Sequence, residues 1–303
     1  MNTEAIMILL EIESNIKDIE DNTTLYEEIN FDSRTDAIDF IDFHVIDRIE
    51  GLLQKAELKA ELAILKRRAE KTKSELEKVD ANLFKRIREK IKTGAYTKAS
   101  FSKMIRRYND TEIYTADQIG YNNLDVFING LLYDKIIPEA TLNRQPEMVF
   151  YQQTPARIIF EMAERADLKP NDVFFDLGSG LGQVAILMGL ISDATVKGIE
   201  FEPAYYNYAK TYASQLNLPQ VEFINADALK WDYSHGTVFF MYTPFGGSML
   251  QDMLNILQKE SQKRRIIIFT YGPCSPLVAR QSWLDCVNGS ADNIYKLYEF
   301  RSL

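Results

Sequence analysis

The segment Asp172–Met188 constrains the fold of this chain more than any other. A short apolar run, Val173 to Phe175, reads as a buried strand; Asp176 follows, then glycines at 178, 180 and 182, then a helical apolar pattern. A strand that turns through glycines into a helix gathers unpaired backbone N–H groups and the positive helix end at one point. Glycine there lets the backbone approach a ligand with no Cβ in the way. The alternation continues on both sides. Ile158, Ile159, Met162 and Ala163 mark a helix and Pro170-Asn171 a turn before the first strand. Further strands are expected at 196–200, 221–225, 237–242 and 265–271, with helices after Gly182, Pro203 and Gly247. The runs Val238–Met241 and Ile266–Phe269 are continuously apolar, as in parallel strands covered on both faces. Tyr295 to Phe300 alternates and reads as an antiparallel edge strand.

Spacing selects the ligand. Dinucleotide loops read G-x-G-x-x-G, whereas this one reads Gly178-x-Gly180-x-Gly182, with Gln183 in the last glycine's place. Asp176 would repel a pyrophosphate and suits a ligand carrying a positive amino group. S-adenosyl-L-methionine has such a group and no phosphate, so it is the expected cofactor and NAD is not. Glu200 ends the second strand 22 residues past Gly178, the distance at which an acid reaches a ribose diol. Asp227 puts a third carboxylate after the third strand, at the same sheet edge.

These residues resemble the class I S-adenosylmethionine-dependent methyltransferases over roughly 151–303. The resemblance implies an α/β fold with a Rossmann-like, seven-stranded, mostly parallel sheet. It also implies that the glycine loop and Asp176 hold the methionine part, Glu200 the ribose and Asp227 the adenine amino group. The cofactor set expected on this basis is Tyr151, Thr154, Asp176, Gly178, Ser179, Gly180, Gly182, Gln183, Glu200, Phe201, Asp227 and Ala228.

Phe175–Val184 and Gly198-Ile-Glu200 are similar to the histone-lysine methyltransferases that lack a SET domain, the disruptor-of-telomeric-silencing type. That family has a Tyr followed by Ser/Thr-Pro ahead of the loop, forming a lid over the cofactor; Tyr151-Gln-Gln-Thr154-Pro155 occupies the comparable place. Thr154-Pro155 is equally a good N-cap and first-turn pair for a helix. After the fourth strand the family's Asn-rich stretch is replaced by Met241-Tyr-Thr-Pro-Phe245, closer to the Asn-Pro-Pro-Tyr loop of amino-methylating enzymes but without its Asn. Related bacterial methyltransferases carry a similar loop together with the Thr270–Cys274 sequence, Thr-Tyr-Gly-Pro-Cys.

The resemblance implies a methyltransferase acting on a macromolecule, protein lysine ahead of RNA. A lysine amine must first lose its proton, which an apolar, aromatic channel favours by lowering its pKa. Phe245 and Tyr271 are expected to line that channel, with Tyr242 and Thr243 as catalytic residues that hydrogen-bond the target nitrogen. Plain packing is the competing reading of these aromatics. A small-molecule or RNA methyltransferase, or a non-catalytic S-adenosylmethionine-binding module, are the alternatives.

The first half differs. Residues 1–95 are expected to form an all-α domain, 96–150 a connecting segment that either serves as a lid or only packs, and 151–303 the cofactor-binding domain. Leu58, Leu62, Leu65, Ala69, Thr72, Leu76, Val79 and Leu83 form a heptad seam of about four heptads. Facing charges would repel in a parallel dimer, so antiparallel packing within the chain is expected, against segment 35–54. Asp80 reads as the N-cap of a separate helix over 81–93, stopped by Gly94; another short helix is expected over 124–132. Charge is uneven: residues 1–54 hold 3 Lys/Arg and 14 Asp/Glu, and residues 55–107 hold 17 and 7. Either these thirds lie against each other or the basic stretch 85–107 contacts an acidic partner. Cys274, Cys286, His44 and His235 give neither a disulfide framework nor metal spacing, so no metal is expected. The apolar run near the start is too short for a secretory signal and none is long enough for a membrane helix, so the expected location is cytoplasmic.

Overall fold

The computed structural model describes residues 3–54, 59–108, 120–133 and 136–303. Leu58 of the expected seam lies outside the described residues. The chain divides into two compact units: one from the described part of 1–88 and 103–113, the other from that of 89–102 and 114–303. The division therefore falls at neither of the boundaries expected at 95 and 150. Residues 120–150 belong to the unit that holds the sheet.

The first unit is helical. It contains α1 (Thr3–Asp21), a short 3-10 turn (Thr23–Tyr26), α2 (Phe31–Phe40), a π-helical stretch (Ile41–Ile46), α3 (Asp47–Leu53) and the larger part of α4 (Lys59–Lys92). Leu62, Leu65, Ala69 and Leu76 of α4 are buried against Ile12 and Ile16 of α1 and against Ile41, Val45 and Ile49. Ion pairs fix the direction. Arg34 meets Asp80 at 2.6 Å, Lys73 meets Asp42 at 2.6 Å and Lys66 meets Glu50 at 2.6 Å, while Arg86 pairs with Glu28. As the number on α4 falls from 86 to 66, that of its partner rises from 28 to 50, which is an antiparallel register. The acidic and basic thirds thus pair with each other at these positions.

Asp80 is not a cap. The helix runs through it unbroken to Lys92, and Gly94, at φ +71°, ends it with bonds from Gly94 N to Ile91 O and Ala95 N to Lys90 O. The Asp80 carboxylate faces inward because it neutralises Arg34, which is 0% exposed and also donates to the Leu25 and Glu27 carbonyls at 2.9 Å. A cap residue was expected there because capping is a local signal, whereas this partner is 46 residues away.

In the second unit, α6 (Asn123–Leu132) and α7 (Ala156–Ala166) precede the sheet; of α5 (Lys98–Tyr108), residues 98–102 belong to this unit and 103–108 to the first. Asn122 and Asp125 form a capping box on α6, and Asp125 Oδ1 also accepts from Ala156 N at 2.7 Å. That bond replaces the cap expected from Thr154: the N-cap position of α7 is Pro155 and has no side-chain cap. The sheet comprises β1 (Val173–Leu177), β2 (Thr195–Glu200), β3 (Val221–Asn225), β4 (Val238–Met241), β5 (Ile267–Thr270), β6 (Leu284–Cys286) and β7 (Tyr298–Ser302). Its order is β3-β2-β1-β4-β5-β7-β6, with β7 antiparallel to both neighbours and the other pairs parallel. This is the Rossmann-like methyltransferase order. The expected antiparallel strand is β7, but it lies inside the sheet; the edge is three-residue β6, short as exposed edges tend to be.

The crossover helices are α8 (Gln183–Ile191), α9 (Pro203–Gln215) and α10 (Gly247–Ser261); α11 (Ser275–Val278) follows β5. Phe175, Leu177, Phe239, Met241 and Ile268 pack with Met253, Leu254 and Leu257 of α10. Helices α8 and α9 contact β1, β2 and β3. The carboxyl ends of β1, β2, β3 and β4 lie side by side, which is where such sheets bind ligands.

Removing the Arg34 cation would strand the half-buried Asp80 carboxylate. Arg34→Met should cost about 3–5 kcal/mol, the usual penalty for breaking a buried pair. Lys66→Ala, which removes a surface pair, should cost under about 1 kcal/mol. Chemical denaturation followed by circular dichroism checks this; equal losses would show that the Arg34–Asp80 pair is not structural.

Candidate active site

The turn after β1 is held by its neighbour: Gly178 N and Ser179 N both donate to Ile199 O at 2.9 Å. Gly180, at φ +52°, lies against the Tyr151 ring, in the space a Cβ would need. Gly182, at φ +85°, begins α8; a Cβ there would sit 2.6 Å from Phe223 and 2.7 Å from Ala209, so its role is close packing of helix on sheet. Asp176, Ser179 and Gln183 are buried around this turn. Among the described residues, Asp176 Oδ2, Ser179 Oγ and both amide atoms of Gln183 have no hydrogen-bond partner.

Three carboxylates meet at this edge. Glu200 accepts from Gly180 N at 2.7 Å and Glu202 N at 2.8 Å, so it holds the glycine turn and the end of β2 in place. Burial pushes its pKa up while those N–H groups pull it down, and burial wins. Asp176 is 3% exposed; burial, assisted by the charge of Glu200, pushes its carboxyl up to about 8. Asp227 caps the 3-10 turn Ala228–Lys230 through Leu229 N at 3.0 Å and pairs with Lys230 at 3.0 Å.

Across the crevice, Tyr242 and Thr243 follow β4. The rings of Tyr242 and Tyr271 are tilted against each other at 4.8 Å, and burial raises both phenol pKa values. Thr243 has φ +42°, a strained conformation for a β-branched residue. Its hydroxyl donates to Tyr271 O at 3.2 Å and accepts from Cys274 N at 3.1 Å. The strained turn is thereby fastened to the loop after β5. The Thr243 hydroxyl is thus engaged by backbone groups on both sides.

One cavity of about 460 Å³ joins these regions. Of the expected residues, Tyr151, Thr154, Asp176, Gly178, Ser179, Gly180, Gln183, Glu200, Phe201, Asp227, Ala228, Tyr242, Thr243 and Phe245 line it. Gly182 and Tyr271 do not: the first is packed behind the turn and the second stands behind Tyr242. The strap Ala140–Phe150, whose Leu142, Arg144, Met148 and Phe150 form part of the wall, lies within the segment 96–150 expected as a connection or lid, but sequence reasoning singled out none of these residues, nor Glu202 and Tyr205. The strap has no hydrophobic period to betray it. Glu202-Pro203 does signal a helix start, and Glu202 is indeed the N-cap of α9, through Ala204 N at 3.0 Å.

Residues 139–267 match the family model described as histone methylation protein DOT1. This segment is a DOT1-family domain. The domain is accordingly an S-adenosylmethionine-dependent methyltransferase domain; its match begins one residue before the strap and ends on the first residue of β5. Solved structures similar to it include an RNA methyltransferase from Salinibacter ruber in complex with S-adenosyl-L-homocysteine, 24% identical. That similarity covers 50% of this chain and 92% of that one, with a TM-score of 0.39. Another is a SAM-dependent methyltransferase from Aquifex aeolicus, 16% identical, covering 48% and 88%, with a TM-score of 0.38. No curated protein matches the chain.

The cofactor fits what this DOT1-family cavity leaves unpaired. Asp176 could take its ammonium, Ser179 and Gln183 could meet its remaining polar groups, and the free lone pairs of Glu200 and Asp227 could accept from ribose and adenine. Because the folded pKa of Asp176 is raised, the folded chain holds a proton that the unfolded chain releases near pH 4. Stability is therefore lost as pH rises from there to about 8 and stays level above. Asp176→Asn should melt at a higher temperature than the ligand-free parent, by a margin that widens from pH 5 to pH 8. A margin independent of pH would show that Asp176 is ionised in the empty site.

Proposed function

We propose that the domain methylates a macromolecule, with a protein lysine amine as the acceptor. The supporting observation is the size and lining of the cavity. At about 460 Å³ it is within the range that one drug-sized ligand fills, and S-adenosylmethionine is itself of that size. The acceptor would therefore reach in as a slender group from outside rather than as a whole second molecule. The wall at the β4 end, Tyr242 and Phe245 with Tyr271 behind, is aromatic. Such a wall disfavours a charged amine and lets it lose its proton before attack.

The bound cofactor would supply an electrophilic methyl group; the chain supplies position. We assign Asp176, Ser179, Gly180 and Gln183 to its amino-acid end and Glu200 and Asp227 to its nucleoside. Tyr242 orients the incoming nitrogen, while Thr243 and Tyr271 hold Tyr242. Positioning of this kind is the main demand of an in-line displacement. One observation favours RNA as a second reading: Phe150, 72% exposed, carries Arg144 stacked 3.2 Å above its ring at the cavity mouth. Exposed aromatic and guanidinium planes also stack bases. The proposed acidic partner for 85–107 has less support, since Arg86 pairs with Glu28, Lys98 with Asp193, and Lys90 lies over Tyr96.

Thermal shift should register S-adenosylmethionine and S-adenosylhomocysteine, by roughly 2.7 kcal/mol at about 100 times Kd, and not NAD. Radiolabelled methyl groups should enter the protein fraction of a cell lysate, and Tyr242→Ala should lower that rate roughly 10- to 100-fold with cofactor Kd within about two-fold. Label confined to RNA would transfer the assignment to the second reading. Cofactor binding without any transfer would make the chain a binding module.

A further inference from the structure

The strap that forms one wall of the cavity is fastened by two carboxylates, one at each side of the site. Glu147 holds the β4 side: it accepts from Met249 N at 2.7 Å and Ser248 Oγ at 3.0 Å, while its own carbonyl accepts from Gly246 N at 2.9 Å. Val149 N donates to Pro244 O at 3.2 Å beside a Met148–Phe245 bridge. Glu202 holds the cofactor side. It accepts from Thr141 Oγ1 at 2.5 Å and from Leu142 N at 2.8 Å. It is 6% exposed and lines the cavity, so it is not a solvated helix cap that happens to lie nearby.

These bonds join the strap to the nucleoside-side acid. Glu200 accepts from the backbone N of Glu202 at 2.8 Å and, through its other oxygen, from Gly180 N at 2.7 Å. A continuous path therefore runs from the glycine turn through Glu200 to the Glu202 backbone, and through the Glu202 side chain to Thr141 and Leu142. Whatever fixes Glu200 also fixes the backbone that carries the clamp.

We propose that Glu202 is a positioning residue that couples occupation of the cofactor site to closure of the 140–150 strap, and so sets how fast spent cofactor leaves. The proposal rests on the S-adenosylmethionine reading of the site. It makes Thr141 and Leu142 the moving side of the clamp and the N-terminus of α9 its fixed side. Glutamine at 202 keeps only one accepting oxygen, and its NH2 would face either the Leu142 N–H or the donors on the other side.

The test measures release of S-adenosylhomocysteine from the full chain by stopped flow, with hydrogen exchange of the amides in 140–150 in its presence and absence. In the parent, the ligand should slow exchange of those amides. Glu202→Gln should release the ligand about ten-fold faster and lose that protection, and Thr141→Val, which removes one hydroxyl from the strap and leaves the α9 cap alone, about three-fold faster. The double variant should release it no faster than Glu202→Gln alone, since both substitutions break one clamp. Rates within two-fold of the parent in both variants, or additive effects in the double variant, would overturn the proposal while leaving the cofactor reading intact. If Glu202→Gln does not fold, Thr141→Val with an unchanged rate and unchanged protection overturns it alone. A parent chain that does not bind S-adenosylhomocysteine at all removes the cofactor reading, and this proposal with it.

Discussion

A carboxylate buried without a cation is the constraint around which the second unit is built. Asp176 stands at the end of β1, its Oδ2 unpartnered, with Glu200 close enough to raise its pKa further. Placing two acids together in a poorly solvated crevice costs stability in the empty protein. The surrounding structure bears that cost: α8 and the strands beside it are almost wholly buried, and the glycine turn is tied to β2 by two bonds to Ile199. Strain is stored across the crevice too, in the left-handed Thr243. Both features have the same reason if a cationic ligand completes the site, because a rigid acid aimed at an ammonium loses little on binding.

The two units use charge differently. In the helical unit the acids and bases find each other, from Glu28 with Arg86 to Glu50 with Lys66, and set the register of α4. In the sheet unit, Glu147, Glu200 and Glu202 are spent mainly on backbone N–H groups, each fixing a loop that no regular element would fix. Such bonds to an ionised acceptor are the stronger kind. They explain why a segment as long as 140–150, with almost no secondary structure, is nevertheless an ordered wall of the cavity.

What was legible in the sequence was local. The runs 173–175, 221–225 and 238–241, and the spacing of Gly178, Gly180 and Gly182, each carry their own signal, so β1, β3, β4 and the turn stand where they were expected. That Glu200 and Asp227 line one cavity was legible because a strand end in a parallel sheet dictates where the residues that follow arrive. Long-range pairings left no such trace. Asp80 has the residue type of a cap, but its position was decided by Arg34, far away in the sequence. Three-residue β6 has too few residues to show a period, which is why the sequence pattern makes β7 the edge. Glu202 and Glu147 look like solvated acids until Thr141 and Met249 are brought beside them. Nothing about a threonine foretells φ +42°.

The central claim is that Asp176 waits, mostly protonated, for the ammonium of S-adenosylmethionine. Titration calorimetry at pH 7 in two buffers of different ionisation enthalpy tests it most directly. With a pKa of about 8 in the empty site, Asp176 must give up its proton to hold the ligand, so binding should release most of one proton per molecule and the measured heats should differ between buffers accordingly. Tight binding with the same heat in both buffers would contradict the account, because Asp176 would then be ionised beforehand or play no part in binding.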